Sequence, residues 1–396
     1  MKKIFKIAFF YLYIKIIIYV FSLFFSFPIF GLFKLEDFVS SDLSLNDMYY
    51  QIKESLNDNT DLATASGKII LINTGSIDSG NFRLNLSKVL IKINRFQPKV
   101  IAIDHSFKDS FPGTNELVNA INKHQKIVLS NKTDLKFEEH VKLGITDFPL
   151  ERYTVRRYYS SANTFASLIS QELIDSVYLP KNESFYINYL LNYQRFIQID
   201  ENANFFHLKD FVYVAEASNI LKDESATMDF LRRNSSSCAL LFGHLGYVNE
   251  GFDSKYDVED KYPVPCDPNL IYRQKTMSGL MIHANALENL MDRKKQFFCV
   301  SDEDWFKVFE EFLLLGFLFI LIFLNLGKLF NLIILFFLTF PSLYIVLYLM
   351  MYHFVFIEIG LTLLQLLFYE ELLEFADYAY GKLKKVNFFN KLNKFQ

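Results

Sequence analysis

A run of aliphatic residues from Val100 to Ile103 ends directly in Asp104, His105 and Ser106. Carboxylate, imidazole and hydroxyl are the groups of a hydrolase triad, in which each group must lie within hydrogen-bond reach of the next. Neighbouring residues of a strand point to opposite faces, so Asp104 and His105 diverge and the three cannot form a triad by themselves. We interpret Asp104 as an acceptor for backbone N–H groups of the following loop. Contact with a ligand and, last, a catalytic role are the alternatives.

Further polar residues are placed to reach the same edge of a sheet. In open α/β sheets the carboxyl ends of the strands border the ligand crevice. Asp78 and Arg83 lie in the loop and the helix start after the first predicted strand, and we expect them beside Asp104. His244 directly follows another aliphatic strand. The candidate ligand-binding residues are therefore Asp104, Asp78, Arg83, His105 and His244.

The sequence shows no spacing typical of a metal site, a phosphate loop or a nucleophile elbow. His105, His244 and His283 have none of the HxxxH or HExxH spacings that favour zinc. His283 falls in a predicted helix, where a half-buried packing or capping role is the simpler interpretation. We expect no metal, no cofactor and no catalytic residue, and therefore no enzyme.

Alternating strands and helices are predicted to position these residues. Between the first two strands, five apolar residues from Leu86 to Phe96 share one helical face, which makes a βαβ unit with parallel strands. The pattern predicts an α/β domain whose helices cover a largely parallel sheet. Its strands are 68–73, 100–104, 126–130, 185–190 and 238–243, its helices are 86–96, 115–124, 164–174 and 277–291, and 144–159 is a hairpin.

Apolar residues collect at both ends of the chain. Residues 7–27 suffice to cross a bilayer despite Lys15. A cleaved signal peptide is the alternative, but the run is too long for one and no small-residue cleavage site follows it. Three more spans are predicted over 312–326, 329–351 and 354–369. Glu358 in the last span is interpreted as lying near the outer interface, with a buried contact between helices as the alternative.

The lysines beside the predicted spans all fall on one side of the membrane. Lys2 and Lys3 precede the first span, Lys328 separates the second from the third, and five lysines follow the fourth. Because positive charge stays inside, both termini are predicted to be cytoplasmic. The predicted organisation is an N-terminal transmembrane anchor over 1–33, an extracytoplasmic domain over 34–305, three transmembrane helices over 306–370 and a short cytoplasmic tail over 371–396.

The net charge of the chain bears on its partners, and its three cysteines bear on whether a disulfide forms. The chain has 41 basic and 44 acidic side chains, a net charge of -3, which gives no reason to expect nucleic acid. Cys238, Cys266 and Cys299 fall in the predicted outer domain, where a disulfide is permitted. We expect three structural thiols, with a Cys238–Cys266 bridge as the alternative.

Five stretches occur in an order that, together with the predicted spans, resembles the CHASE domain of type two. That family is a cyclase- and histidine-kinase-associated sensory extracellular domain. The stretches are RLNLSKVLIKINRFQPKVIAIDHSF, VRRYY, LLFGHLG, KYPVP and MSGLMIHANALENLM. The chain departs from the family's frequent acidic residues at the end of the first strand, where it has Asn73, Thr74 and Gly75. A site that depends on acidic residues there is therefore in doubt.

The resemblance implies a sensory function. The predicted tail is too short to bury a catalytic core, and the family's usual cyclase or kinase modules are missing. We expect a multi-pass protein of a bacterial inner membrane. It would bind an unknown small-molecule or protein cue outside and pass the signal through its helices to a separate cytoplasmic or membrane effector. The alternatives are a structural subunit of a bacterial envelope complex and, third, an outward-facing hydrolase.

Overall fold

The computed structural model describes most of the central part of the chain. The described ranges are 66–151, 154–155, 157–159, 161–174, 184–189, 196–198, 212–245, 261–264, 276–292 and 297–299, with scattered positions between 305 and 378. Tyr50–Phe297 form one compact unit, and Met1–Tyr49 with Phe298–Gln396 form a second. In the second unit, a short strand Phe298–Cys299 pairs in parallel with Val355–Phe356.

The first predicted membrane span and most of the other three lie outside the described residues. Within the part that is described, no helix combines the length and the apolar character needed to cross a bilayer. The four spans, the domain limits that depend on them and the topology therefore stay predictions.

The secondary structure of the described residues follows the chain in this order. The strands are β1 (Ile69–Asn73), β2 (Val100–Ile103), β3 (Ile127–Ser130), β4 (Lys142–Gly144), β5 (Leu150–Glu151), β6 (Thr154–Val155), β7 (Arg157–Tyr159), β8 (Ser184–Tyr186), β9 (Phe196–Gln198), β10 (Val212–Glu216), β11 (Ala239–Gly243), β12 (Lys261–Pro263) and β13 (Thr276–Ser278), with β14 (Phe298–Cys299) and β15 (Val355–Phe356) in the second unit. The helices are α1 (Phe82–Asn94), α2 (Thr114–Asn122), α3 (Phe165–Leu173), α4 (Ala217–Leu221), α5 (Ser225–Asn234) and α6 (Gly279–Met291).

A parallel sheet forms the centre of the first unit. In the described residues it has seven strands in the order β4-β3-β2-β11-β1-β10-β9, and every neighbouring pair is parallel. All five residues of β1 are buried, as are all five of β11, because helices cover both faces of a parallel sheet. The predicted α/β domain with a largely parallel sheet is confirmed.

The two faces of the sheet are covered by different helices. Residues Ile70 and Ile72 of β1 share a core with Leu86 and Ile93 of α1, and α2, α4 and α5 contribute to the same core. On the other face, α3 and α6 approach the sheet closely. A Cβ atom on Gly243 would lie 3.0 Å from the Leu280 side chain of α6. One on Gly144 would lie 2.6 Å from the Phe165 backbone of α3, so a side chain at either position would disturb the packing.

Helix α6 lies in the interior of the first unit. Every residue from Gly279 to Leu290 is buried, so the helix is enclosed on all sides rather than along one stripe. Its asparagines form hydrogen bonds inside the unit. Asn289 accepts a hydrogen bond from the backbone N–H of Asn188 at 2.8 Å and donates to the backbone oxygen of Asn188 at 2.9 Å.

Strand β10 and helices α4 and α5 are missing from the sequence prediction, although β10 lies beside β1 in the sheet. The strand ends at Glu216 and α4 begins at Ala217, so no Gly, Pro or Asn marks the boundary. The predicted hairpin over 144–159 is confirmed only in its centre, where β5 pairs antiparallel with β6. At its ends, Gly144 belongs to the parallel sheet and Arg157–Tyr159 pair with β8. The predicted strand at 185–190 is shorter: β8 pairs antiparallel with β7, outside the parallel sheet.

Cys238 is a buried free thiol. Its sulfur donates a hydrogen bond to the backbone oxygen of Gly67 at 3.5 Å, and burial raises its pKa. The bridge to Cys266, kept open from the sequence, is therefore not formed. Cys266 itself lies outside the described residues.

Candidate functional site

Two groups of polar side chains lie along the carboxyl edge of the sheet. The edge network consists of Asn73, Thr74, His105, Glu216 and His244, which follow or end β1, β2, β10 and β11. The α6 site consists of Asp104, Phe148, Tyr158, Tyr262 and His283. The parallel strands bring these residues together because their carboxyl ends all meet at one edge.

Asn73 is the centre of the edge network and is only 2% exposed. Its side-chain oxygen accepts hydrogen bonds from the backbone N–H of Gly75 at 3.0 Å and of Leu245 at 3.1 Å. Its amide nitrogen donates to both carboxylate oxygens of Glu216, at 3.2 and 3.1 Å. The side-chain amide of Asn73 therefore connects the loop after β1, the loop after β11 and the end of β10.

His105 projects into this network. Its Nε2 lies 2.7 Å from the Thr74 hydroxyl oxygen, and its ring meets the Phe82 ring edge-on at 5.0 Å between centroids. Burial, and secondarily the charge of His244, lowers the pKa of His105 to about 4. The imidazole is therefore neutral near pH 7 and serves as a hydrogen-bond partner.

His244 and Glu216 complete the network. The His244 ring lies so close to Gly75 that a Cβ atom there would be 2.6 Å from its Nδ1 atom, so a side chain at this position would displace the ring. Burial raises the pKa of Glu216, while hydrogen bonds from Asn73 and Ser76 and the charge of His244 act in the opposite direction. A carboxylate is thus present at this edge of the sheet, although it comes from β10 and not from the end of the first strand.

Asp104 faces α6, away from His105, as the alternation of strand side chains requires. Its Oδ2 atom lies 3.8 Å from Nε2 of His283, and its side chain is 14% exposed while that of His283 is 1% exposed. The backbone N–H of Asp104 donates to the Phe242 oxygen of β11 at 2.8 Å. The prediction that Asp104 and His105 diverge is confirmed. Ser106 is exposed, and its hydroxyl donates to the Lys132 backbone oxygen at 3.1 Å.

His283 is held in place by a buried phenol. The Tyr158 oxygen lies 2.7 Å from Nδ1 of His283 and accepts a hydrogen bond from the backbone N–H of Ala166 in α3 at 3.1 Å. Burial raises the pKa of Tyr158, so the phenol keeps its proton. Burial, followed by the charge of Lys132, lowers the pKa of His283 to about 3. His283 is therefore a fully buried neutral imidazole, in place of the half-buried residue expected from the sequence.

Aromatic rings surround His283. The Phe148 ring lies 4.7 Å from the His283 ring and 5.0 Å from the Tyr262 ring. Phe148 and Tyr262 are half-buried, so they connect the buried part of the site to its surface. An exposed ion pair between Lys132 Nζ and Asp147 Oδ1, at 2.9 Å, contributes to the surroundings of Asp104 and His283.

Asp78 and Arg83 form hydrogen bonds with residues of nearby loops. The Asp78 carboxylate accepts hydrogen bonds from Gly80 N at 3.1 Å and from the Asn81 side chain at 3.2 Å, and Asp78 is exposed. The Arg83 guanidinium donates to the backbone oxygens of Asp109 at 2.8 Å and Lys108 at 2.7 Å. It also donates to the Thr114 hydroxyl at 2.6 Å, so it holds the loop after β2. The ligand roles predicted for both residues stay predictions.

The sequence prediction missed several residues of these two groups. Glu216 was missed together with its strand. Tyr158 and Tyr262 occur in the stretches VRRYY and KYPVP, so the resemblance marked both segments without assigning either side chain a role. Among the described residues, no three His, Cys, Asp or Glu side chains are grouped so that they could hold a metal ion.

Comparison with known protein families matches residues 20–325 to the CHASE2 domain. No curated protein and no solved structure matches the chain significantly. The matched region includes the whole parallel sheet and both polar groups at its carboxyl edge. The chain therefore belongs to the CHASE2 domain family of sensory extracellular domains.

Proposed function

We propose that this protein is a membrane-anchored sensor of a bacterial inner membrane. Its α/β domain binds an extracytoplasmic cue, and its membrane helices pass the change to a separate effector. Membership of a sensory extracellular family supports the first part, and the apolar segments at both chain ends support the second. The proposal includes no catalytic activity, because Asp104 and His105 point to opposite sides and do not meet as a triad requires.

One observation carries this proposal: helix α6 contacts both the polar edge of the sheet and the segment that leads into β1. His283 in its first half faces Asp104. Five residues later, the fully buried Glu288 carboxylate accepts hydrogen bonds from the backbone N–H of Ser66 at 3.0 and 3.1 Å. The Ser66 hydroxyl donates to the same carboxylate at 2.7 Å.

The positions of these contacts suit signal transfer. Ser66 lies just before β1, on the side of the chain that leads back to the first predicted span. Among the described residues, helix α6 is the last helix before the second predicted span. A ligand shifts a protein only by its differential affinity for two states. A cue that changes the position of α6 at His283 therefore acts, through Glu288 and Ser66, on both connections to the membrane.

The topology is tested by reporter fusions after residue 60, after residue 328 and at the C-terminus. We expect an extracytoplasmic signal from the first fusion and cytoplasmic signals from the other two. A cytoplasmic signal from the fusion after residue 60 contradicts the proposed location of the domain.

Signal transfer is tested by capturing partners of the full chain from mildly solubilised membranes. We expect a cytoplasmic or membrane effector to co-purify with the wild type, and its amount to change in the Glu288→Gln variant. This variant replaces an acceptor facing the Ser66 N–H with a group that also donates. The matched control is Glu116→Gln, at an exposed position of α2. Equal recovery from all three proteins contradicts a role of α6 in transfer.

A further inference from the structure

One buried nitrogen of the α6 site lacks a hydrogen bond within the described residues. His283 Nε2 is fully buried and has no partner, although the ring is 1% exposed and bonded at its other nitrogen. Buried polar groups in native proteins are nearly always satisfied, and each exception calls for an explanation. This nitrogen faces the Asp104 carboxylate, next to two half-buried aromatic rings.

The hydrogen positions follow from the donors around Tyr158. Because the Ala166 N–H donates to the Tyr158 oxygen, the phenol hydrogen is available for His283 Nδ1. Nδ1 then accepts, and the single hydrogen of the neutral imidazole lies on Nε2. The lowered pKa of His283 agrees with a neutral ring. We therefore assign the hydrogen to Nε2, which makes the unsatisfied atom an N–H donor facing the Asp104 carboxylate.

The distance to Asp104 is suited to an inserted hydroxyl. At 3.8 Å, the Nε2–Oδ2 separation is too long for a hydrogen bond. A hydroxyl oxygen can accept from Nε2–H at about 2.9 Å and donate to Oδ2 at about 2.7 Å. A carboxylate has about four lone-pair positions, so Asp104 can accept this bond in addition to others.

The rest of the site suits a ligand with an apolar face. Phe148 packs against both His283 and Tyr262, and the half-buried rings of Phe148 and Tyr262 offer surface to C–H groups. An anion would be repelled by the Asp104 carboxylate, and Lys132, whose charge reaches His283, is already paired with Asp147. A cation would meet the Nε2–H donor, and a metal ion would have to displace that hydrogen. A neutral hydroxyl compound meets neither obstacle.

We propose that the α6 site binds a small sugar or polyol. One hydroxyl lies between Asp104 and His283, and the C–H face of the ligand packs on Phe148 and Tyr262. This inference rests on the proposed sensory function and names the chemistry of the cue. Binding beside His283 also places the ligand against α6, the helix that contacts Ser66.

The test is calorimetric titration of the full chain in detergent with five probes: glucose, galactose, arabinose, glycerol and myo-inositol. We expect saturable binding of at least one. Asp104→Asn should weaken it about tenfold or more, because one acceptor oxygen becomes a donor. Phe148→Leu should weaken it severalfold. The matched control, Asp229→Asn on α5, should bind within about twofold of the wild type, because Asp229 pairs only locally with Arg232.

Two results overturn the inference: none of the five probes binds, or Asp104→Asn and Phe148→Leu both bind the probe as tightly as the wild type. If Asp104→Asn fails to fold, the Phe148→Leu titration decides alone. Glycine, tetramethylammonium and inorganic phosphate are titrated in parallel. Binding of one of these instead of a polyol refutes the ligand class and leaves the sensor proposal intact. The sensor proposal fails separately, through the topology and partner-capture experiments.

Discussion

The edge network and the α6 site lie on the same edge of one sheet, yet they treat their polar groups differently. In the edge network, Asn73 uses its oxygen and its nitrogen in hydrogen bonds to three different segments of the chain. In the α6 site, His283 is just as deeply buried but has one nitrogen without a partner in the described residues.

This difference separates a structural role from a binding role. Buried groups that satisfy one another stabilise loops and gain nothing from a ligand. A buried donor without an acceptor costs free energy until something binds it. Of the five residues that the sequence singled out, His105 and His244 belong to the edge network and Asp104 to the α6 site. Asp78 and Arg83 form hydrogen bonds within nearby loops, and the predicted ligand roles stay predictions.

The largest expected effect is a loss of stability at low pH, caused by three histidines. They are His105 in the edge network, His283 in the α6 site and His124 outside both groups. Burial is the main cause that lowers the pKa of His105 and His124 to about 4 and that of His283 to about 3. The unfolded chain binds these protons below about pH 6.5, whereas the folded chain does not. The stability of the folded chain is therefore fully present above pH 6.5 and is lost as the pH falls. Because three protons are involved, the free energy of unfolding decreases by up to about 4 kcal/mol per pH unit.

Pulse proteolysis in urea between pH 7.5 and 4.5 measures this loss. His105→Asn and His283→Asn should each reduce the slope of the free energy of unfolding against pH by about one third. Each variant removes one of the three protons that the unfolded chain binds and the folded chain does not. A variant whose stability changes with pH as steeply as that of the wild type shows that its histidine is not the buried neutral group described above.

Asn73→Ala should cause the next largest loss, about 3 kcal/mol of the free energy of unfolding. It leaves the N–H groups of Gly75 and Leu245 without their acceptor and removes two hydrogen bonds from Glu216. The control is Asn81→Ala, which removes one exposed hydrogen bond to Asp78 and should cost less than about 1 kcal/mol. Urea unfolding of both variants at pH 7.5 makes the comparison, and equal losses would argue against a central role for Asn73.

Tyr158→Phe should cost less, about 1–2 kcal/mol, by leaving the Ala166 N–H and His283 Nδ1 unpaired. The same unfolding experiment with His283→Leu, alone and combined with Tyr158→Phe, gives the coupling between the two side chains. A hydrogen-bonded pair should couple by more than about 0.5 kcal/mol. Additive losses would mean that the phenol does not hold the imidazole.

The smallest effect is expected at the exposed ion pair near the α6 site. Asp147→Asn should change the free energy of unfolding by less than about 0.5 kcal/mol, because the side chains of Lys132 and Asp147 are 43% and 63% exposed and solvent screens the pair. The comparison is repeated in high salt. A loss of several kcal/mol that high salt does not reduce would show that this pair is part of the buried site.

From the sequence alone, the strands β1, β2, β3 and β11 and the helices α1, α2, α3 and α6 could be predicted. Aliphatic runs, helical spacing and turn residues are local properties of the chain, and they survive any arrangement of the elements. The divergence of Asp104 and His105 followed equally from the alternation of strand side chains. Strand β10 could not be predicted, because it passes directly into α4 without a turn residue.

Tertiary structure alone decided which polar groups meet. Asn73 bonds to Glu216 across 143 positions of the chain, and Tyr158 reaches His283 across 125. These pairings depend on strand order, which places β10 and β11 on either side of β1, and on the packing of α6 against α3. Local patterns specify each element, but they do not specify its neighbours, because sheet order results from the packing of all elements together.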